Sequence, residues 1–346
     1  MNVFFRVDAS PTIGYGHLVR SLAVADGIRS KHLTSNFLFI VNSFSKAIEK
    51  IHQLNFKTIV VPDKDNEETF LNLFFQNQEL SIIVFDNMNK YSFSFIENLK
   101  KNNKVVMVHS YSEGRYLADL AIYPAAHLPE DFIIDKNWTK HKTNFLHGLD
   151  YVLLNKNILE TEKKKIVAEP PKKIVFIAGG SDPSNSLLTF YDWCRESNFD
   201  QNFQFYLLYG QACCYINEIK NYPENSHLHF LPFSVDFIKD ADIAVCAFGV
   251  TLYELVYLNI PTISYGHTLL HAEASKRFAE KYNCTVNMGL LSMLDCQSFK
   301  HTLEILIEDF QKRNDLFIKS KGLIDGNGIN RFVENIELLM HANVSQ

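Results

Sequence analysis

Short apolar runs alternate with longer helix-patterned stretches along almost the whole chain, and the series occurs twice. "NVFFRV" (2–7), "NFLFIV" (36–41), "KTIVV" (57–61), "LSIIVFD" (80–86), "KVVMVH" (104–109) and "LAIYP" (120–124) read as strands. Runs this apolar on both faces of the pleat suit parallel strands covered by helices. Residues 16–30 put Leu18, Leu22, Ala25 and Ile28 on one helical face, and Ile48, Ile51 and Leu54 mark a second helix. The alternation then restarts with "KIVFIAGG" (173–180), "FQFYLLYG" (203–210), "LHFLPF" (228–233), "DIAVCAFG" (242–249) and "PTISYG" (261–266). Helices fit 184–195, 250–258, 271–282 and about 329–341. Such β–α alternation predicts an α/β chain with two doubly wound, Rossmann-like domains.

A length of 346 residues also exceeds what one hydrophobic core usually serves. Composition changes at "ETEKKKIVAEPPKK" (160–173), which is charged, carries Pro170-Pro171 and reads as a linker. The expected domains are therefore 1–160 and 173–328, with a terminal helix and tail over 329–346. The net charge of −5 argues against a nucleic-acid partner. No run of 18 apolar residues suggests a membrane span, and "MNVFF" lacks the basic start of a signal peptide. Six cysteines without CxxC spacing fit reduced thiols, hence a cytoplasmic chain with no structural metal. Oligomeric state is not legible in the sequence.

The candidate chemistry sits where strands run into glycines. "SPTIGYGHLVR" (10–20) follows the first strand and opens the first helix, so Gly14, Tyr15 and Gly16 form a turn at a helix N-terminus, which favours anions. Val19 occupies the place of the third glycine in GxGxxG, so a dinucleotide site is a weak match. His17 stands at the sheet edge that faces ligands, and an imidazole there suits a general base. Arg20, one turn on, suits a substrate oxyanion or a bidentate pair. Asp8 is a candidate to hold the imidazole or to shape the loop, and Asp86 ends a strand on the same edge. The bland alternatives are a capping histidine, a surface arginine and turn carboxylates.

In the second half, Gly179, Gly180 and Ser181 of "AGGSDPSN" allow close backbone approach to a diphosphate, while Ser181 and Asp182 equally suit a helix cap. "AFGVTLYELVYLNIP" (247–261) places Phe248, Gly249, Val250 and Thr251 at a strand-to-helix junction suited to phosphates, with Glu254 a turn further on for a ribose diol. His267 and His271 are four apart, yet Leu269 and Leu270 read as loop and supply no third metal ligand.

These residues carry a resemblance. "FRVDASPTIGYGHLVRSLAVA" (5–25) is similar to the FRxDxSxxIGxGHxxRxLxLA signature of pseudaminic acid pathway UDP-sugar hydrolases. "HGLDYVLLN" (147–155), "GGSDPSN" (179–185) and "TLYELVYLNIPTIS" (251–264) resemble later stretches of that family. The resemblance implies a GT-B fold related to MurG, with two Rossmann-like domains facing a cleft. It implies hydrolysis of UDP-2,4-diacetamido-2,4,6-trideoxy-β-L-altropyranose to UDP and free sugar, without cofactor. His17 would activate water with Asp8 as the second catalytic residue, and Gly14, Tyr15, Gly16, Arg20, Asp86, Tyr151 and His271 would bind the substrate. The chain departs from the pattern at His109-Ser110-Tyr111, at Asn155 and at His271-Ala272, which leaves sugar and nucleotide open. The alternative is a GT-B glycosyltransferase using a UDP-sugar or a CMP-nonulosonic acid. A silent sugar-nucleotide binding module fits poorly with an intact Gly14-Tyr15-Gly16-His17.

Overall fold

The computed structural model describes residues 1–342 except 35, 63–65, 126, 198, 200, 201, 224 and 225. Residues 343–346 of the expected tail thus lie outside the described residues. Two compact units emerge: Met1–Ser10 with Tyr15–Asn155 and Gly326–Gln346, and Pro11–Gly14 with Lys156–Asp325.

The first unit holds strands β1 (Asn2–Val7), β2 (Phe37–Val41), β3 (Lys57–Val60), β4 (Ser81–Asp86), β5 (Asn103–Val108), β6 (Leu120–Tyr123) and β7 (Asn144–His147). They form one sheet in the order β3-β2-β1-β4-β5-β6-β7, and every pairing is parallel. The central strand β4 is buried at all its positions, as a run apolar on both faces requires. Phe4, Ile83, Phe85 and Phe95 pack on one side of it, and Phe5 stacks on Phe39 at 5.0 Å.

The second unit repeats the plan with β8 (Lys173–Ile177), β9 (Gln204–Tyr209), β10 (Leu228–Pro232), β11 (Ile243–Ala247), β12 (Thr262–Gly266) and β13 (Thr285–Leu290). Its parallel order is β10-β9-β8-β11-β12-β13. In both sheets the winding reverses beside the first strand, between β1 and β4 and between β8 and β11. Open α/β sheets bind ligands outside the carboxyl ends of the strands at such reversals.

Two strands lacked a sequence signal. β7 is four residues long and only partly buried, and β13 is interrupted by Asn287 and Gly289 where its register with β12 shifts. The helices Cys296–Glu308 and Phe310–Ser320 were also not read from the sequence. Leu269 and Leu270, expected in a loop, form the first turn of the Leu269–Tyr282 helix, with Thr268 as its N-cap. Residues 160–172 contain neither helix nor strand, yet they are anchored to the second unit. Lys164 Nζ donates to Asp242 Oδ1 at 2.9 Å, and buried Arg313 donates to the Ala168 carbonyl at 3.0 Å and to Glu169 at 2.9 Å. The Gly328–His341 helix packs with the first unit, where a methyl group on Gly27 would meet Ile329 at 2.8 Å.

Candidate active site

β1 and β4 pair in parallel with Val7 opposite Asp86, so the Gly16–Ser30 helix that follows β1 starts beside the end of β4. His17, Arg20 and Ser21 lie three and four residues apart, one face of that helix. All three meet the Asp86 carboxylate. His17 Nδ1 lies 2.7 Å from Asp86 Oδ1, Arg20 Nε donates to Oδ2 at 2.7 Å, and Ser21 Oγ donates to Oδ2 at 3.1 Å. Arg20 Nη2 adds a further bond to Oδ1. Asp86 is 1% exposed; burial alone would raise its affinity for a proton, but Arg20 and His17 hold it well below the ordinary carboxylate range.

An ionised Asp86 favours the His17 tautomer that carries its proton on Nδ1. Nδ1 of His17 also lies 2.8 Å from Arg20 Nη2, so the ring nitrogen could face a donor or an acceptor. Were Nδ1 unprotonated, its lone pair would point at a carboxylate oxygen 2.7 Å away. Protonated, it donates to Asp86 and shares that oxygen with Arg20. The neutral ring then carries its basic lone pair on Nε2, the arrangement a general base needs. The His17 side chain is 12% exposed, largely covered by protein.

Asp8 does not take part in this cluster. Arg6, 1% exposed, donates to both Asp8 oxygens at 2.6 and 3.0 Å and to Glu67 at 2.7 and 3.0 Å. Tyr91 and Asn89 complete that buried network on Glu67. Asp8 therefore sits with a structural arginine, and the carboxylate at the imidazole is Asp86. The Tyr15 ring is buried against Phe44 in the first unit, with Lys50 Nζ 5.5 Å from its centroid. Gly14 has φ of 78°, which a side chain would strain. Gly16 opens the helix with nothing within 4 Å of where a Cβ would stand. Tyr151 lies in the short Leu149–Tyr151 turn, under the start of the Gly328–His341 helix.

In the second unit, the loop after β8 brings Gly179 (φ 80°) and Gly180 to the reversal point. Asp182 is the cap of the Ser186–Ser197 helix: it accepts from Ser186 N at 2.9 Å, Leu187 N at 3.0 Å and the Tyr215 hydroxyl. That leaves Gly179, Gly180 and Ser181 as the loop's ligand-facing candidates. Just after the neighbouring strand β11, Gly249 is the N-cap of the Val250–Tyr257 helix and offers no side-chain oxygen to the first-turn N–H groups, of which the Leu252 N–H donates to the Gly249 carbonyl at 3.1 Å. Phe248 is buried, its N–H bonded to the Tyr265 carbonyl at 2.7 Å. Glu254 is 7% exposed, and burial pushes its carboxyl up to about 7. His271 is exposed in the first turn of its helix, while His267 lies before the cap, so the pair does not share a helical face.

No protein-family profile matches the chain. It is 21% identical over 341 residues to the spore coat polysaccharide biosynthesis protein SpsG of Bacillus subtilis, covering 96% of both chains. An uncharacterized protein of Methanocaldococcus jannaschii is 23% identical over 300 residues, covering 82% of this chain; the match spans 60% of that relative's length. The solved structure of MurG from Acinetobacter baumannii superposes with a TM-score of 0.65 at 12% identity, covering 97% of this chain and 99% of that one. The fold is GT-B.

Within this GT-B chain, Ser21 is the residue that sequence reasoning passed over. Its signal was present: position i+4 from His17 puts it on the same helical face, but a serine there carries no motif of its own. Among the described residues no group of three or more His, Cys, Asp or Glu side chains is arranged to hold a metal ion, and no helix is long and apolar enough to cross a membrane.

Proposed function

We propose that the protein hydrolyses a UDP-linked amino sugar of the diacetamido-trideoxy type to UDP and free sugar, with His17 as general base. The observation that carries this reading is the bond from His17 Nδ1 to the ionised Asp86, which leaves Nε2 basic. Nε2 takes a proton from water as the water oxygen bonds to the anomeric carbon. The bond from that carbon to the diphosphate oxygen breaks, and its electron pair leaves with UDP. Arg20 keeps Asp86 charged and in place. In the second unit, the Gly179–Ser181 backbone and the turn at Gly249, Val250 and Thr251 are suited to a diphosphate, and Glu254 to ribose hydroxyls. Donors fixed in advance around a departing diphosphate lower the barrier where charge develops. A role in polysaccharide biosynthesis, as named for the Bacillus relative, supports sugar-nucleotide chemistry.

The same base would equally serve an acceptor hydroxyl in a transferase. Purified protein is incubated with UDP-sugars and CMP-sugars without acceptor, and nucleotide release is followed. Release that is lost in His17→Ala supports the hydrolase. Tight binding without release overturns it in favour of a transferase, and neither binding nor release overturns the sugar-nucleotide reading altogether.

A further inference from the structure

β5 runs beside β4 with Met107 opposite Phe85, so Val108 is level with Asp86 and His109 stands one step beyond it at the same sheet edge. The His109 N–H donates to the Ile122 carbonyl at 2.9 Å, which fixes its backbone to β6. That backbone is left-handed, with φ of 53°. A residue with a Cβ is strained there, and such strain gathers at functional sites. The ring packs edge-on to Tyr111 at 5.3 Å and lies 5.9 Å from Tyr123 and 6.3 Å from His127. Its nitrogens form no hydrogen bond with another described residue, unlike every polar side chain around Asp86. Burial, Arg20, His127 and His17 together hold the imidazole well below the usual histidine range against the pull of Asp86, so it stays neutral. A neutral imidazole both donates and accepts, and it stands in the electrostatic reach of His17 without being committed to the cluster.

We infer that His109 is a substrate-binding residue that hydrogen-bonds a hydroxyl or acetamido group of the sugar and helps to set which sugar is accepted. The inference rests on the sugar-nucleotide reading above: the anomeric carbon lies at His17, so what reaches His109 is the sugar ring and its substituents. Tyr111, 44% exposed beside it, offers an aromatic face for the apolar side of that ring.

The test uses the full chain with His109→Ala and with His109→Asn, which tolerates a left-handed backbone. Affinities for UDP, UDP-glucose and UDP-N-acetylglucosamine are measured by calorimetry, together with KM, kcat and melting temperature. The expected result in His109→Ala is about a tenfold loss of affinity for the better-bound UDP-sugar, with UDP affinity unchanged and KM raised more than kcat falls. His109→Asn changes the ratio of affinities for the two sugars. Equal weakening for UDP and both UDP-sugars, or no change in either variant, overturns the assignment while leaving the reading of His17 intact. Wild-type protein that binds none of the three overturns the sugar-nucleotide reading, and the His109 assignment falls with it.

Discussion

Asp86 Oδ1 lies 2.7 Å from His17 Nδ1 although 69 residues separate them in the chain. The contact exists because β1 and β4 are parallel neighbours, and it makes Asp86 the group that orients the imidazole. Asp86→Asn keeps the shape and removes the charge that selects the tautomer. The expected outcome is a fall in kcat of roughly 10²–10⁴-fold, as loss of an orienting carboxylate gives in comparable His–Asp pairs, with little change in UDP affinity. Steady-state release of UDP checks this, and a variant retaining a tenth of wild-type kcat would refute the orienting role.

Asp86 also balances Arg20 inside the protein. In Asp86→Ala the guanidinium, 11% exposed, loses its carboxylate. Removing one partner of a buried pair costs about 3–5 kcal/mol, which urea unfolding at pH 7 would report. The pH dependence has a definite sign. Because the folded carboxyl is held below its ordinary value of 3.8, the stabilisation is present above that value and is lost as pH falls through the folded one. The gap between wild type and variant therefore stays constant from pH 5 to 8 and narrows only in strong acid.

Glu254 behaves oppositely. Its folded value of about 7 lies above the ordinary 4.5, so the neutral form is favoured by burial. That stability is fully present below pH 4.5 and is lost as pH rises through about 7. A gap of this size corresponds to about 3 kcal/mol. Glu254→Gln cannot ionise, so it should match wild type at pH 4 and exceed it in stability at pH 8. Urea unfolding at both values decides it; equal differences at the two pH values would show that Glu254 does not titrate in this window.

Gly210 supports the β8 loop from behind. A Cβ there would collide with the carbonyl oxygens of Gly179 and Gly180. Both carbonyls are backbone, so relief requires the loop to move. Gly210→Ala is expected to destabilise by about 1–3 kcal/mol and to weaken UDP binding more than His17→Ala does. Calorimetric titration with UDP on both variants checks the ordering.

Much of this was legible in the chain itself. β1, β4, β8 and β11 are apolar on both faces, and the glycines at 14, 16, 179, 180 and 249 follow such runs, because burial and turn chemistry are written in local sequence. The same locality placed His17 at the start of a helix on the ligand edge. β7 and β13 escaped because short or interrupted edge strands carry few apolar residues.

What the sequence determined by itself was the alternation of the central strands with helices, the presence of two similar halves, and the placing of His17 and Arg20 one turn apart at the start of a helix. Only the tertiary structure decided which carboxylate serves the imidazole. Asp8, nine residues from His17, was a candidate either to hold the imidazole or to shape the loop, but Arg6 near the end of β1 claims it through a network reaching Glu67, 61 residues from Arg6. Asp86 reaches His17 through strand pairing, and strand order is set by burial of whole sheets, which no stretch of neighbouring residues records.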